Sequence, residues 1–175
     1  MSSLAEAIDL VSNDSPSNDD PHDSYDCYLP GQPKATGRPR HRTYQGFYNP
    51  TKKELNKYKA ALLERRSELF WKQDVVYPKG VPVIVRLDCQ MRRPKSHFKS
   101  GGGGVRSFDR LKNWAKQMIG CTTSPDIDNI AKLVMDAMSG VIYFDDRQVV
   151  QLEVTKTYSN FEDCAGHIYV QVDPY

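Results

Sequence analysis

Hydrophobic and polar positions alternate most strictly in VPVIVRLDCQM, residues 81–91, where Val83, Val85, Leu87, Cys89 and Met91 interleave with Ile84, Arg86, Asp88 and Gln90. A period of two predicts a strand with one buried face. YDCYLPG, residues 25–31, supplies a short first strand. VIYFDDRQVVQLEVTK, residues 141–156, reads as an apolar approach, a turn at Asp145 and Asp146, and a strand with Val150, Leu152 and Val154 inward.

Helical spacing appears in three places. Over residues 51–72, Thr51 and Glu54 have capping-box spacing just after Pro50, and Leu55, Tyr58, Leu62 and Leu69 form a core-facing stripe. Residues 105–118 predict a short helix with Phe108, Leu111 and Trp114 on one side, and Trp114 is read as core rather than as a base-stacking platform. A third helix runs from about Asn129 to Ser139, with Ile130, Val134 (or Leu133), Ala137 and Met138 on its apolar side and Gly140 suited to its C-terminal cap.

Composition marks the boundaries. SNDSPSNDDPHDS, residues 12–24, has no large apolar side chain to offset its ordering entropy, so residues 1–22 are expected to be a disordered acidic tail before one domain at 23–175. A passive solvated tail is the simpler account of it, and an inhibitory mimic of DNA the sharper one. The net charge of +2 hides a split. Residues 1–32 hold seven acids and no Lys or Arg, leaving all 24 basic side chains with 15 acids in residues 33–175. Such a domain suits a polyanion, although solubility alone accounts for some excess charge.

The four cysteines stand far apart without a C-x-x-C pair, which predicts reduced thiols rather than a zinc site or disulfides. No apolar run approaches the roughly 18 residues of a membrane span, and no signal peptide is evident, so a cytoplasmic protein with no membrane partner is expected. That location would be nucleoid-associated, or nuclear in a eukaryotic host.

Two basic stretches are candidate phosphate contacts. QPKATGRPRHRTYQGFYNP, residues 32–50, reads as a Pro- and Gly-punctuated loop in which Arg38, Arg40 and Arg42 alternate. An extended chain puts all three on one side, and a merely solvated loop explains them equally. RRPKSHFKSGGGG, residues 92–104, adds Arg92, Arg93 and Lys95 in a loop read as a flap or as a connector. Its glycines lack nucleotide-binding spacing, which disfavours an NTP-using enzyme.

The chemistry concentrates in SPDIDNIAKLVMDAMSGVIYFDDRQVV, residues 124–150. Asp126 and Asp128 open the third helix, where either can serve as an N-cap. Lys132 and Asp136 follow at steps of four, as an ordinary surface ion pair would. If the turn at Asp146 returns beside the helix start, Asp126, Asp128 and Asp146 converge, and their repulsion calls for a hard cation such as Mg2+. With Lys132 alongside, such a site suits phosphodiester cleavage.

This segment resembles the signature of the RusA family of Holliday junction resolvases: D-x-D-N-x-x-K, then D-A-L/M, a Gly with an aromatic, and D-D-x-Q-V. GRPRHR with a following aromatic, YNP before a helix, and RRPKSHF extend the likeness, which covers residues 25–172 in order. The resemblance implies an α/β (α+β) domain, a small mixed sheet packed by helices, acting as a symmetric homodimer that nicks opposing strands of a four-way junction. It places the acidic site on Asp126, Asp128 and Asp146, the essential lysine on Lys132, and implies Mg2+ as cofactor, with Mn2+ a substitute. Asp145 is a less secure participant, Asp136 a helix-supporting residue, and Asn129 a residue fixing the turn. The acidic tail, the longer basic loop and the stretch through LKNWAKQMIGCTTS depart from shorter members and bear on how a junction is gripped.

The expected activity is therefore endonucleolytic resolution of branched DNA in recombination and repair. A non-catalytic junction-binding protein is one alternative, and a metal-dependent nuclease for RNA or ordinary duplex is another.

Overall fold

The strictest alternation in the sequence becomes the inner strand on which the helices pack. The computed structural model describes residues 24–36, 40–42, 46–48, 51–69, 75–101, 106–160 and 164–175. The tail expected at residues 1–22 lies outside the described residues, as does Arg38. Strands β1 (Tyr25–Pro30), β4 (Val83–Met91), β5 (Val149–Tyr158) and β6 (His167–Pro174) form one mixed sheet in the order β1-β6-β4-β5. Neighbours β1/β6 and β6/β4 are antiparallel, and β4/β5 are parallel.

One face of this sheet carries Val83, Val85, Leu87, Cys89 and Met91 together with Tyr25, Cys27, Leu29, Ile168, Val170 and Val172, all buried. Helices α1 (Lys52–Glu68) and α3 (Ile127–Met138) complete this core with Tyr58, Leu62, Ile130, Val134 and Ala137. Two Tyr hydroxyls that enter it donate to backbone carbonyls: Tyr25 bonds Leu62 O at 2.9 Å and Tyr77 bonds Val172 O at 2.7 Å. The other face is polar, with Arg86 bridging Asp173 and Glu153 and Thr155 donating to Asp88. The chain is thus a single α+β domain with a four-stranded mixed sheet.

Several local expectations change. Thr51 takes the N-cap position of α1 in a helical backbone conformation and makes no capping bond, so the Thr51–Glu54 box is not formed. That helix ends at Glu68, and Leu69 is more than a third exposed rather than part of the buried stripe. Part of the basic loop is a two-stranded antiparallel ribbon, β2 (Arg40–Arg42) and β3 (Gly46–Tyr48), with Arg40 opposite Tyr48 and Arg42 opposite Gly46. Val150 and Leu152, expected inward, are 54% and 43% exposed: β5 is an edge strand, and a register shift opposite Val83 and Ile84 puts Val149 rather than Val150 against the core.

The largest change concerns residues 92–118. Arg93, expected on a DNA-contact surface, is fully buried. Its guanidinium donates to Ser159 O at 2.8 Å, Ala115 O at 2.6 Å, Met118 O at 3.3 Å and Asn160 Oδ1 at 2.6 Å, and lies 5.5 Å from the Tyr158 ring centre. Here one arginine ties together three backbone carbonyls and a side-chain amide oxygen from two separate segments. Around it, Phe98, Leu111, Ala115 and Cys164 form a small second core, and Phe98 bridges Leu111. The loop is therefore folded through its first half, with a helical turn at Lys95–His97. The expected helix over 105–118 is a turn at Phe108–Arg110 followed by α2 (Asn113–Gln117). Trp114, read as core, is 51% exposed and packs edge-to-face with His97, at 5.0 Å between ring centres.

All four cysteines are free and buried, as expected of reduced thiols, and burial pushes the Cys27 thiol up to about 11 and Cys89 to about 12. No helix among the described residues is long and apolar enough to cross a membrane.

Two outcomes follow for the Arg93 cluster. Arg93→Met removes four hydrogen bonds and should lower unfolding free energy by about 3 kcal/mol in denaturant melts, far more than Arg92→Met at an exposed position. His97 packs between the rings of Trp114 and Tyr158, and burial, then Arg93 and Lys112, lower its pKa. The unfolded chain therefore takes up a proton near pH 6.5 that folded His97 resists, so its stability contribution is full above that pH and declines as pH falls. The drop in Tm between about pH 7.5 and pH 5.5 should shrink in His97→Asn.

Candidate active site

The acidic turn is held in place from below by β5. Cys121 N donates to Lys156 O at 3.2 Å and Tyr158 N to Ile119 O at 2.8 Å, docking the incoming segment on the last residues of the strand. The Lys156 ammonium then donates to Thr123 O and Pro125 O, both at 2.8 Å. This ties the residues just before Asp126, at the mouth of α3, to the end of β5.

Asp126 occupies the N-cap position with extended backbone, and its carbonyl accepts from Ile130 N at 3.1 Å, but its side chain makes no capping bond. The capping account of this residue therefore fails, and its carboxylate stays exposed. Asp128, also exposed, accepts from its neighbour Asn129 at 3.3 Å. The Asn129 carbonyl receives both the Thr36 amide at 3.1 Å and the Thr36 hydroxyl at 3.0 Å. The Asn129 backbone thus ties the first turn of α3 to Thr36.

The amphipathic pattern of α3 decides which side chains face outward. Ile130, Ala131, Leu133, Val134, Ala137 and Met138 are buried, so Asp128, Lys132 and Asp136 share the solvent face. Among the described residues no ion pair joins Lys132 to either aspartate. The ordinary helix-surface pair is therefore not made, and the ammonium stands one turn from Asp128.

Asp145 and Asp146 play different parts. Asp145 caps the turn Asp146–Gln148 reciprocally: its carboxylate accepts from Arg147 N at 3.0 Å, and Gln148 Oε1 accepts the Asp145 amide at 3.1 Å. The Arg147 guanidinium adds bonds at 3.0 and 2.7 Å and holds the Asp145 carboxyl well below the usual carboxylate range. Gln148 anchors the whole turn to Pro78 O and Val81 O, each at 2.8 Å. Asp145 is consumed in structure, whereas Asp146 is exposed.

The expected convergence of Asp126, Asp128 and Asp146 does not occur within one chain. No three carboxylates, thiols or imidazoles among the described residues come close enough to hold an ion together. The reason lies in the connection: α3 starts at the C-terminal end of β5 and runs its 12 residues, about 18 Å, back toward the start of that strand. Asp146 precedes β5 and so lies at the far end of the helix. Tyr143 marks the place: its hydroxyl bonds Met135 O at 3.1 Å, and burial together with nearby Asp146 and Asp136 raises its pKa. Asp126, Asp128 and Lys132 thus gather at the head of α3, and Asp146 lies at its tail.

Of the basic candidates, Arg92 and Lys95 are exposed and Arg93 is not. Sequence reasoning missed Lys156, whose role depends on a contact 31 residues away, and the exposed Trp114 with Lys112 above its ring at 6.0 Å. Gln148 was visible only as a fixed letter of the D-D-x-Q-V pattern.

Comparison with known proteins matches residues 30–173 to the family described as Endodeoxyribonuclease RusA. A Bacillus subtilis (strain 168) protein described as Uncharacterized protein YqaN is 34% identical over 134 residues, spanning 74% of this chain and 84% of that protein. With the motif, strands β4 and β5 and the acidic turn inside the matched span, the chain belongs to the RusA endodeoxyribonuclease family.

Proposed function

We propose that this nuclease resolves four-way junctions and related branched DNA, in recombination and repair, by Mg2+-dependent hydrolysis with paired nicks. The observation that carries the reading is the head of α3. Two exposed carboxylates that, among the described residues, neither cap the helix nor pair with a base sit on the first turns of a helix with Lys132, which is likewise in no ion pair there, and Thr36, four residues before the basic ribbon, is bonded to Asn129. A protein built only to grip phosphates would gain affinity by losing those carboxylates.

The donor set fits the implied metal, because Asp126, Asp128 and Asp146 offer only hard oxygen ligands and no cation neutralises them in an ion pair among the described residues. When bound, Mg2+ supplies charge for the scissile phosphate and lowers the pKa of the attacking water; Mn2+ offers the same chemistry. Lys132 would stabilise the charge that grows on the phosphate oxygens. Arg40, Arg42, Arg92 and Lys95 would track the flanking backbone, with Trp114 presenting an aromatic face to an unpaired base. Attack by water with loss of the 3′ oxygen leaves 5′-phosphate and 3′-hydroxyl ends. A cytoplasmic location alongside its DNA follows from that substrate.

The separation of Asp146 from Asp126 and Asp128 makes the homodimer part of the site. A two-fold pair of chains supplies each half with the other's complement and presents two sites to a two-fold junction.

End-labelled four-way junctions and matched linear duplexes, incubated with Mg2+ or EDTA, test this reading. Symmetric nicks should appear only with wild type, junction and Mg2+. Asp128→Asn should lose at least 100-fold in rate (order of magnitude, ~100-fold) yet bind junctions as tightly or more tightly, since a ligand and a negative charge disappear together. Asp145→Asn should retain most activity. Tight binding without any cutting by the wild type would instead favour a junction-binding protein, and equal cutting of linear duplex a general nuclease.

Co-expression of Asp128→Asn and Asp146→Asn chains gives a second readout. Each alone should be inactive, whereas the mixture should regain about a quarter of the wild-type sites, because half the dimers are mixed and each holds one intact site. No recovery would place all three aspartates in one chain.

A further inference from the structure

Lys156 stands where the pattern of its strand calls for an apolar residue. It pairs with the buried Cys89 of β4, and the residues two positions away on the same face, Val154 and Tyr158, both pack with the core. A half-buried lysine can lay its stem along such a surface, but its ammonium is costly there unless it reaches polar partners. It reaches two, the carbonyls of Thr123 and Pro125, each at 2.8 Å. The carbonyl of Lys156 itself accepts from Cys121 N at 3.2 Å. Three hydrogen bonds to one residue therefore fasten residues 121–125, the final approach to α3.

That approach has no helix or strand of its own, since α2 ends at Gln117 and α3 begins at Ile127. Asp126 opens α3 without a side-chain cap, and the first bond of the helix runs from Ile130 N to Asp126 O at 3.1 Å. An uncapped first turn frays unless its approach is fixed. Bonding to Pro125 O puts the Lys156 ammonium within about 6 Å of the Asp126 Cα by peptide geometry alone. Among the described residues it forms no ion pair with Asp126 or Asp128. Its partners are backbone carbonyls, so it acts on the position of the turn.

We propose that Lys156 is a positioning residue for phosphodiester cleavage: by clamping Thr123 O and Pro125 O it sets where the Asp126 and Asp128 carboxylates stand, touching neither substrate nor metal. The inference rests on the nuclease reading for the reaction, and on the observed hydrogen bonds for the clamp. Two carboxylates that serve one small hard cation tolerate little displacement, because Mg2+ demands near-ideal geometry. A misplacement of about 1 Å can cost on the order of 100-fold in rate. The two lysines of the site then differ in kind. Lys132 is exposed on α3 and faces the phosphate, whereas Lys156 commits two of its three N–H donors to the backbone.

The test compares the full-length wild type with Lys156→Met, Lys156→Arg and, as a control for lost charge, Lys53→Met on the exposed side of α1. Met keeps an apolar stem between Val154 and Tyr158 but has no donor, while Arg keeps donors enough for both carbonyls. Amide hydrogen exchange without DNA or Mg2+ reads the clamp. In Lys156→Met the Ile130 amide should exchange about 10-fold faster, with the amides of β4 unchanged and Lys156→Arg close to wild type. On four-way junctions at saturating Mg2+, Lys156→Met should lose about 30-fold in kcat at unchanged KM. Lys156→Arg should recover most of that loss, and Lys53→Met should match the wild type. Unchanged exchange at Ile130 would overturn the proposal, as would exchange that rises throughout the sheet, the mark of a general loss of stability. A loss confined to KM would overturn it too, by making Lys156 a phosphate contact. If Lys156→Met fails to fold, Lys156→Gln, uncharged and one atom shorter, takes its place with the same expectations. A wild type that cuts no junction would remove the nuclease reading, and the exchange result would still decide the clamp. A wild type that cuts, with Lys156→Met cutting equally well, would remove the positioning role and leave the nuclease reading standing.

Discussion

Two neighbouring strands that run parallel cannot be joined by a turn; the chain must travel back along the sheet between them. In this protein the pair is β4 and β5, and much of the remaining architecture follows from that requirement. The return path is α3, whose apolar face roofs the sheet and whose first turn therefore begins at the end of β5 where the strand finishes. The carboxylates at the head of the helix and the carboxylate before β5 are consequently held at opposite ends of one rigid layer. No rotation of side chains closes that gap, because the helix and the strand that separate them are both packed into the same core.

The elements that sequence reveals best are those decided by a single period. The strand at Val83–Met91 and the amphipathic α3 were legible because burial on one face selects residues every two or every three to four positions. Thr51 shows the limit on the local side: the capping spacing is present, but the residue enters the helix with helical backbone angles and no side-chain cap follows. Arg93 shows the limit on the tertiary side. Its sequence surroundings, RRPKSHFK, read as a solvated basic loop, and only the carbonyls of Ala115, Met118 and Ser159, distant in sequence, make burial of its charge favourable. Trp114 is the mirror case, displaced outward because Leu111 and Ala115 fill the small core that its ring was expected to enter.

The candidate site divides along the same line. Residue identities within the D-x-D-N-x-x-K and D-D-x-Q-V patterns were readable, including the difference between Asp145, whose geometry is that of a cap, and Asp146. Their relative placement was not, since a short connection from helix to strand returns the chain to the helix end and not to its start. Lys156 was invisible for a related reason: its ammonium matters because β5 passes beneath the acidic turn, and that adjacency is a property of the sheet.

The two edges of the sheet differ in how far side chains cover them among the described residues. At β1, Arg65 and Lys57 donate to backbone carbonyls of the strand, whereas Val150 and Leu152 on β5 remain exposed. The dimer proposed for the site couples assembly to chemistry. Separate chains would carry half-sites without the third carboxylate, and pairing would complete two sites at once in a fixed relation. For a substrate whose faithful processing needs two cuts in opposed strands, such coupling makes a lone active site inaccessible by construction, and the spacing between the cuts becomes a property of the folded pair rather than of any flexible segment.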